Sequence, residues 1–264
     1  MAKRYDRWSG KWALVTGASA GIGRALAEQL AASGTNLVLT ARRRDRLEHL
    51  ASRLANEHGV KTEILVADLA RPETPGQIHA FVQGKSLEIE LLINNAGFGA
   101  YGAFHESPLA RDLEMVRVNC TAVVELTHLF LPEMVARRHG DILIVASVAG
   151  FQAVPYISLY AATKAFDLHF AMGIAEEVRR HGVHVCALCP GSTTTEFREV
   201  AGQPPRTFRG AEPAEKVARV ALRALAQGKS SVISGFKNRM NVEGQRLAPR
   251  RLVTRIAEGM FRPS

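Results

Sequence analysis

The chain has 264 residues, 47% of them hydrophobic and 22% charged, with a formal net charge of +9. That length and balance suit one α/β domain burying much of its surface, and they exclude a disordered chain. No apolar run reaches the roughly eighteen residues of a membrane span, and the start, MAKRYDRWSGK, lacks the apolar core of a secretory signal, so a soluble cytoplasmic protein is expected.

Basic residues gather at 41–46, at 135–140 and in the last thirty positions, without the aromatic interleaving of a nucleic-acid module, so no nucleic-acid partner is expected. The three cysteines are Cys120, Cys186 and Cys189. The last two form a CxxC inside VHVCALCP, which reads as a buried strand whose i and i+3 side chains point to opposite faces. No second Cys/His pair completes a tetrahedral zinc site, so no metal is expected.

In chain order, WALVT (12–16) is a short strand running into GASAGIG and then the helical pattern RALAEQLAASG. Gly17, Gly21 and Gly23 follow TGxxxGxG, which permits a tight turn and brings a phosphate close to the amides of a helix N-terminus. A strand before it and a helix after it are the setting a dinucleotide site needs. NLVLT (36–40) is a second strand ending at Ala41-Arg42-Arg43. At that end of a dinucleotide fold an acid would bind the ribose 2′-hydroxyl, whereas an arginine accommodates a 2′-phosphate. No acid stands there, so Arg42 favours NADP(H) over NAD(H).

A third strand, 62–66, ends near Asp68, which is placed to accept from an adenine amino group or to cap the helix that Pro72 helps start. IELLINNAG (89–97) is a fourth strand ending in Asn94, Asn95, Ala96 and Gly97, small or polar residues that suit a close cofactor contact or a turn. From Leu109 to Arg138 the pattern is one long helix interrupted at Asn119 and Pro132, neither of which favours a helix interior. A fifth strand runs from Asp141 to Ser147, a sixth from Val183 to Cys189, and a seventh lies near 231–234 after a helix over 212–227. Residues 191–210, with glycine and proline at both ends, read as a lid or a linker.

Between the fifth and sixth strands lies SVAGFQAVPYISLYAATK. Tyr160 and Lys164, four apart on a helix, leave the same face about one turn apart. An ammonium that close stabilises the phenolate and makes the tyrosine a better proton donor. Ser147 reaches the same point from the end of a strand and can hydrogen-bond the oxygen that takes the proton.

Taken together, TGASAGIG, NNAG, Asn119, Ser147, YxxxK at 160–164 and PG at 190–191 resemble the short-chain dehydrogenase/reductase superfamily over Lys11 to Ser234. The resemblance implies a doubly wound Rossmann fold with about seven parallel strands and helices on both faces, and catalysis by Asn119, Ser147, Tyr160 and Lys164. It implies that Asn119 holds a relay water behind the lysine and that Lys164 also binds the nicotinamide ribose. It further implies cofactor contacts from Gly17, Ser19, Gly21, Ile22, Gly23, Arg42, Asp68, Asn95, Ala96, Gly97, Tyr160, Lys164, Pro190, Gly191, Thr193 and Thr195.

The expected activity is NADP-dependent hydride transfer between nicotinamide and a hydrophobic carbonyl or alcohol substrate. An aromatic-rich set near the site (Phe98, Tyr101, Phe104, Phe151, Val154, Tyr156, Phe197 and Phe208) suits an apolar pocket or the packing of loops, and Arg198, Arg206 and Arg209 stand ready for an anionic group or for solvent. The alternatives are a catalytically idle NADP-binding regulator and a basic membrane-surface protein. One catalytic domain is expected over 1–264, assembling as a homodimer or homotetramer. Beyond the motifs, residues 237–264 read as a basic amphipathic helix bounded by Pro249 and Pro263, packed on protein or lying on an anionic membrane surface.

Overall fold

Seven apolar runs pair, all parallel, into one sheet in the computed structural model, which describes residues 6–205 and 210–263. The first half alternates β1 (Trp12–Thr16), α1 (Gly21–Ala31), β2 (Asn36–Ala41), α2 (Arg44–His58), β3 (Thr62–Val66) and α3 (Thr74–Gly84). The second half carries β4 (Ile89–Asn94), α4 (Leu109–Val116), α5 (Ala122–Arg137), β5 (Gly140–Val145), α6 (Ser158–Val178) and β6 (Val183–Cys189). Then come β7 (Thr193–Thr194), α7 (Phe197–Ala201), β8 (Glu212–Pro213), α8 (Ala214–Ala226), β9 (Ser231–Ile233), α9 (Phe236–Gln245) and α10 (Arg250–Phe261).

The main sheet runs β3-β2-β1-β4-β5-β6-β9, so the winding reverses between β1 and β4. Strands buried on both faces need continuous apolar sequence, and LLIN, ILIV and VHVCALC supply it. One face is covered by α1, α2 and α8 through Leu26, Leu30, Leu47, Leu54, Val217 and Leu222. The other is covered by α3, α5 and α6 through Ile78, Val82, Leu126, Phe130 and Leu168. Each such buried side chain contributes about 1.5–3 kcal/mol. Cys186 packs in the first layer and Cys189 in the second, as the alternation of a strand requires. The doubly wound Rossmann architecture is therefore the one expected from the sequence.

Several local readings change. The pattern over 109–138 is three pieces: α4, a π-helical turn at Arg117–Thr121 that contains Asn119, and α5. Pro132 lies inside α5 without ending it. Helix α3 begins at Thr74 with Pro75 in its first turn, so Asp68 does not cap it; the Asp68 carboxylate accepts from Ala70 N–H at 3.1 Å instead. The segment after β6 is anchored at both ends, because β7 pairs with β8 and Arg111 donates to the Val200 carbonyl at 3.0 Å.

The C-terminal segment forms two helices, of which only α10, with Pro249 at its N-cap, was legible beforehand. Its inner side buries Ala257 and packs Phe261 on the core, while Leu252, Ile256 and Met260 stay at least half exposed. No helix among the described residues is long and apolar enough to cross a membrane.

The sequence offered no role for the first residues. Trp8 is fully buried, and its indole N–H donates to Asp141 Oδ2 at 2.7 Å, with Arg7 3.0 Å from the same oxygen. Burial pushes the Asp141 carboxyl up from 3.8 to about 6 despite Arg7. A carboxyl that holds its proton more tightly when folded stabilises the fold below its unfolded value, and that contribution disappears as pH rises through the folded value. We expect the stability of the parent relative to Asp141→Asn to fall by up to about 3 kcal/mol between about pH 4 and pH 6. Denaturant unfolding of both proteins across that range checks this, and a flat difference contradicts it.

Candidate active site

The crevice opens at the carboxyl ends of β1 and β4, where the winding reverses and a ligand finds backbone amides without competing helices. One hydroxyl organises its floor. Thr16, the last residue of β1, donates to Ile93 O at 3.1 Å and accepts from the N–H groups of Asn95 and Ala96 at 2.9 and 3.0 Å. Asn95 returns its amide to Thr16 O at 2.8 Å, so the TGASAGIG turn and the NNAG turn are joined. The glycines are required by that closeness. A methyl group on Gly17 would lie 2.7 Å from the Asn95 amide nitrogen, and Gly17 has φ of +67°. One on Gly23 would strike the same nitrogen and lie 2.5 Å from Gly17 O.

The cleft has a volume of about 420 Å³. It is lined by Gly17, Ser19, Gly21, Ile22, Arg42, Asp68, Asn95, Ala96, Gly97, Ser147, Tyr160, Lys164, Pro190, Gly191, Thr193 and Thr195, but not by Gly23, which supports the turn from behind. Asn119 stands one layer back. At the outer end the two arginines differ. Arg43 bonds Ser19 Oγ through Nε and Nη2 at 3.2 and 3.0 Å and reaches Glu196 at 2.7 Å. Arg42, largely exposed, lies 3.7 Å from Glu114. Sequence reasoning settled on Arg42, yet it is Arg43 that the fold sets against the glycine turn; both followed the second strand without an acid, and nothing in the spacing ranked them.

At the inner end, Ser147 follows β5, and its Oγ accepts from Ala149 N–H at 3.1 Å and stands 3.5 Å from Pro190 O. Tyr160 and Lys164 project from the first turns of α6, both buried. Beside Ser147 in the cleft lies the Tyr160 phenol. Its burial raises the phenol above its ordinary value, while Lys164 and Ser147 pull it back. The ammonium effect foreseen from the i, i+4 spacing is thus present but outweighed by desolvation. Lys164 Nζ donates to Val145 O at 2.7 Å and to Asp167 at 2.9 Å.

Asn119 spends its side chain on scaffold. Its amide donates to Phe98 O at 2.9 Å and Thr163 Oγ1 at 3.0 Å, and its oxygen accepts from Phe98 N–H at 3.1 Å. The π-turn lets a buried polar residue satisfy all of these at once.

On the open side the wall is aromatic. Phe98 lines the cleft, and Phe197 sits 5.2 Å from the Tyr160 ring, tilted by 51°. Phe261 joins them from α10, its carbonyl accepting from Tyr101 OH at 2.7 Å. Phe261 was missed as a lining residue because it lies in the C-terminal segment, beyond the last of the motifs. Phe104 is 65% exposed and takes no part, Phe151 and Val154 pack in the core, and Arg198 pairs with Glu199. Arg206, Phe208 and Arg209 lie outside the described residues.

These residues fit a nicotinamide dinucleotide: a glycine turn that a side chain would fill, hydroxyl and guanidinium donors at one end, and a phenol beside an ammonium at the other. The profile of the short chain dehydrogenase family matches residues 11–205. The chain belongs to that family.

A short-chain dehydrogenase from Sphingobium yanoikuyae in complex with NADPH superposes with a TM-score of 0.83 at 32% identity, over 92% of this chain and 95% of that one. The bulky-bulky ketone specific alcohol dehydrogenase from Comamonas testosteroni gives 0.77 at 29%, over 90% and 92%. The very-long-chain 3-oxoacyl-CoA reductase of Anas platyrhynchos is 35% identical over 197 residues, 73% of this chain and 62% of that protein. The chain spans about three-fifths of the length of the curated relatives it matches.

For a family member whose cofactor turn is this crowded, Gly23→Ala is the sharpest structural probe. We expect it to cost about 1–3 kcal/mol through overpacking and to abolish dinucleotide protection in a thermal melt. An unchanged melting temperature with intact protection would show that the turn has room.

Proposed function

We propose that this chain is an NADP-dependent oxidoreductase interconverting a carbonyl and an alcohol on an apolar substrate. The observation that carries the reading is the convergence of Tyr160, Ser147 and Lys164 at the inner end of a glycine-lined crevice whose outer end holds Ser19, Arg42 and Arg43. When bound, the nicotinamide supplies or accepts the hydride.

The chain's own residues do the rest. In the reducing direction Tyr160 gives its phenolic proton to the substrate carbonyl oxygen, and the Ser147 hydroxyl, which lines the same end of the cleft, polarises and orients the same oxygen. Lys164, charged and buried one turn away, stabilises the phenolate left behind. Phe98, Phe197 and Phe261 keep water from the reacting carbon and give an aliphatic or ring substrate a dry wall. A bulky or long-chain ketone is favoured by this wall and by the names of the Comamonas and Anas relatives.

Because burial raises the phenol, Tyr160 stays protonated through neutrality. Reduction should hold level there and decline only in alkali, while oxidation of the alcohol should climb with pH. Tyr160→Phe should lower turnover by about 10²–10⁴-fold with NADPH affinity changed only a few-fold. Steady-state assays by NADPH absorbance on a panel of bulky ketones and 3-oxoacyl thioesters test this, and a Phe variant that keeps the parent rate defeats the reading.

The 2′-phosphate is assigned to Ser19, Arg42 and Arg43. A charge-assisted contact of this kind contributes about 1.5–3 kcal/mol. Arg43→Ala should therefore weaken NADPH by roughly ten- to hundred-fold, Arg42→Ala by less, and neither should disturb NADH. Fluorescence titration reads all three; equal affinity of the unmodified protein for NADPH and NADH would remove the assignment.

A further inference from the structure

Tyr160, Lys164 and Asp167 stand at i, i+4 and i+7 on α6, so one face of this helix carries a phenol, an ammonium and a carboxylate in a column. Asp167 is fully buried, with 1% of its side chain exposed, and Oδ2 accepts from Lys164 Nζ at 2.9 Å. Its other oxygen, Oδ1, meets no donor among the described residues. Aspartate is seldom placed in a dry helix face without a purpose, since an isolated buried carboxylate is strongly unfavourable.

The same applies to the lysine. Lys164 Nζ lies against Gly97, where a methyl group would be 3.4 Å away, and its other acceptor, Val145 O, is neutral. The Asn119 side chain is committed to Phe98 and Thr163. The titratable groups facing the pair are Tyr160 on the same helix, Cys120 from the π-turn and Cys189 from β6. Burial pushes both thiols up to about 12, so neither carries charge near neutrality. Among the described residues facing Lys164, only the Asp167 carboxylate compensates its charge.

We propose that Asp167 is a positioning residue: it keeps Lys164 protonated and turned under Gly97, and through Lys164 it sets how readily Tyr160 gives up its proton. The proposal rests on the reading of Tyr160 and Lys164 given above. The Asp167 carboxylate also opposes the pull of Lys164 on the phenol, an effect smaller than the burial that raises the phenol.

The test reads Lys164 directly. The protein is labelled with ¹³C at lysine Cε, the Lys164 signal is assigned by its loss in Lys164→Met, and its titration is followed in the parent, Asp167→Asn and Asp167→Glu. An ammonium buried without a counter-ion loses its proton roughly three to five units early. We expect Lys164 to stay protonated through neutrality in the parent and the Glu variant, and its midpoint to fall by that amount in the Asn variant. Turnover of the Asn variant should be lost as Lys164 deprotonates and regained on lowering the pH, a limb absent from the parent.

A Lys164 midpoint in Asp167→Asn within one unit of the parent overturns the proposal. A lowered midpoint that turnover ignores overturns the link to Tyr160, and Tyr160→Phe then tells whether the tyrosine reading has failed as well. Should Asp167→Asn not fold, the combination with Lys164→Met carries the question. Removing both charges should restore the parent's cooperative melt, because no ion is left buried alone, and failure to restore it counts against the pair.

Discussion

A full positive charge sits at the dry carboxyl end of a parallel sheet, and the architecture around α6 answers to it. Desolvating an ammonium costs several kcal/mol unless acceptors and an opposite charge surround it. Lys164 obtains them from the end of β5, through Val145 O, and from Asp167 one turn onward in its own helix. Both acceptors hold the side chain so that it points along the crevice, beneath Gly97 and beside Tyr160. A lysine at this position that lost either partner would be drawn to solvent or to neutrality, and the phenol beside it would lose its electrostatic support.

The crevice follows from topology. With β4 on one side of β1 and β2 on the other, the crossovers from these strands leave in opposite directions and open a crevice between them. Thr16 then performs a task that only its position makes necessary. Its hydroxyl takes two N–H groups of the NNAG turn that would otherwise be unpaired, and so draws that turn onto the glycines of TGASAGIG. The close approach that excludes a side chain at Gly23 is a consequence of that tie.

The aromatic wall of the crevice is assembled from segments far apart in the chain. Phe98 follows β4, Phe197 begins α7 and Phe261 ends α10. Arg111 fastens α7 from α4, and Tyr101 fastens the end of α10. Each fastening is a single hydrogen bond to a carbonyl at a helix end, where backbone acceptors have no intrahelical donor. A wall held at such points can change by substitution in α7 or α10 without disturbing the Tyr160–Lys164 face of α6, which lets one fold carry differently shaped pockets.

By itself the sequence determined the sheet, the glycine turn and the Tyr160–Lys164 face. Those depend on periodicity and on spacing within one element: apolar runs of strand length, a helix repeat that stacks positions four apart, and glycines between a strand and a helix. It also signalled an anomaly at Asn119, because an amide is out of place inside a helix, although it did not reveal the π-turn that resolves the conflict. What only the tertiary structure decided are contacts between distant segments and the balance of opposing electrostatic effects. That Arg43 rather than Arg42 reaches Ser19 depends on where α2 leaves its strand. That burial outweighs the ammonium at Tyr160, and that Asp167 faces inward onto Lys164, depend on how completely α6 is covered by β5, β6 and the π-turn. Desolvation is a property of the packed molecule and leaves no mark on residue spacing; hence the motif was readable in one dimension and its proton affinity was not.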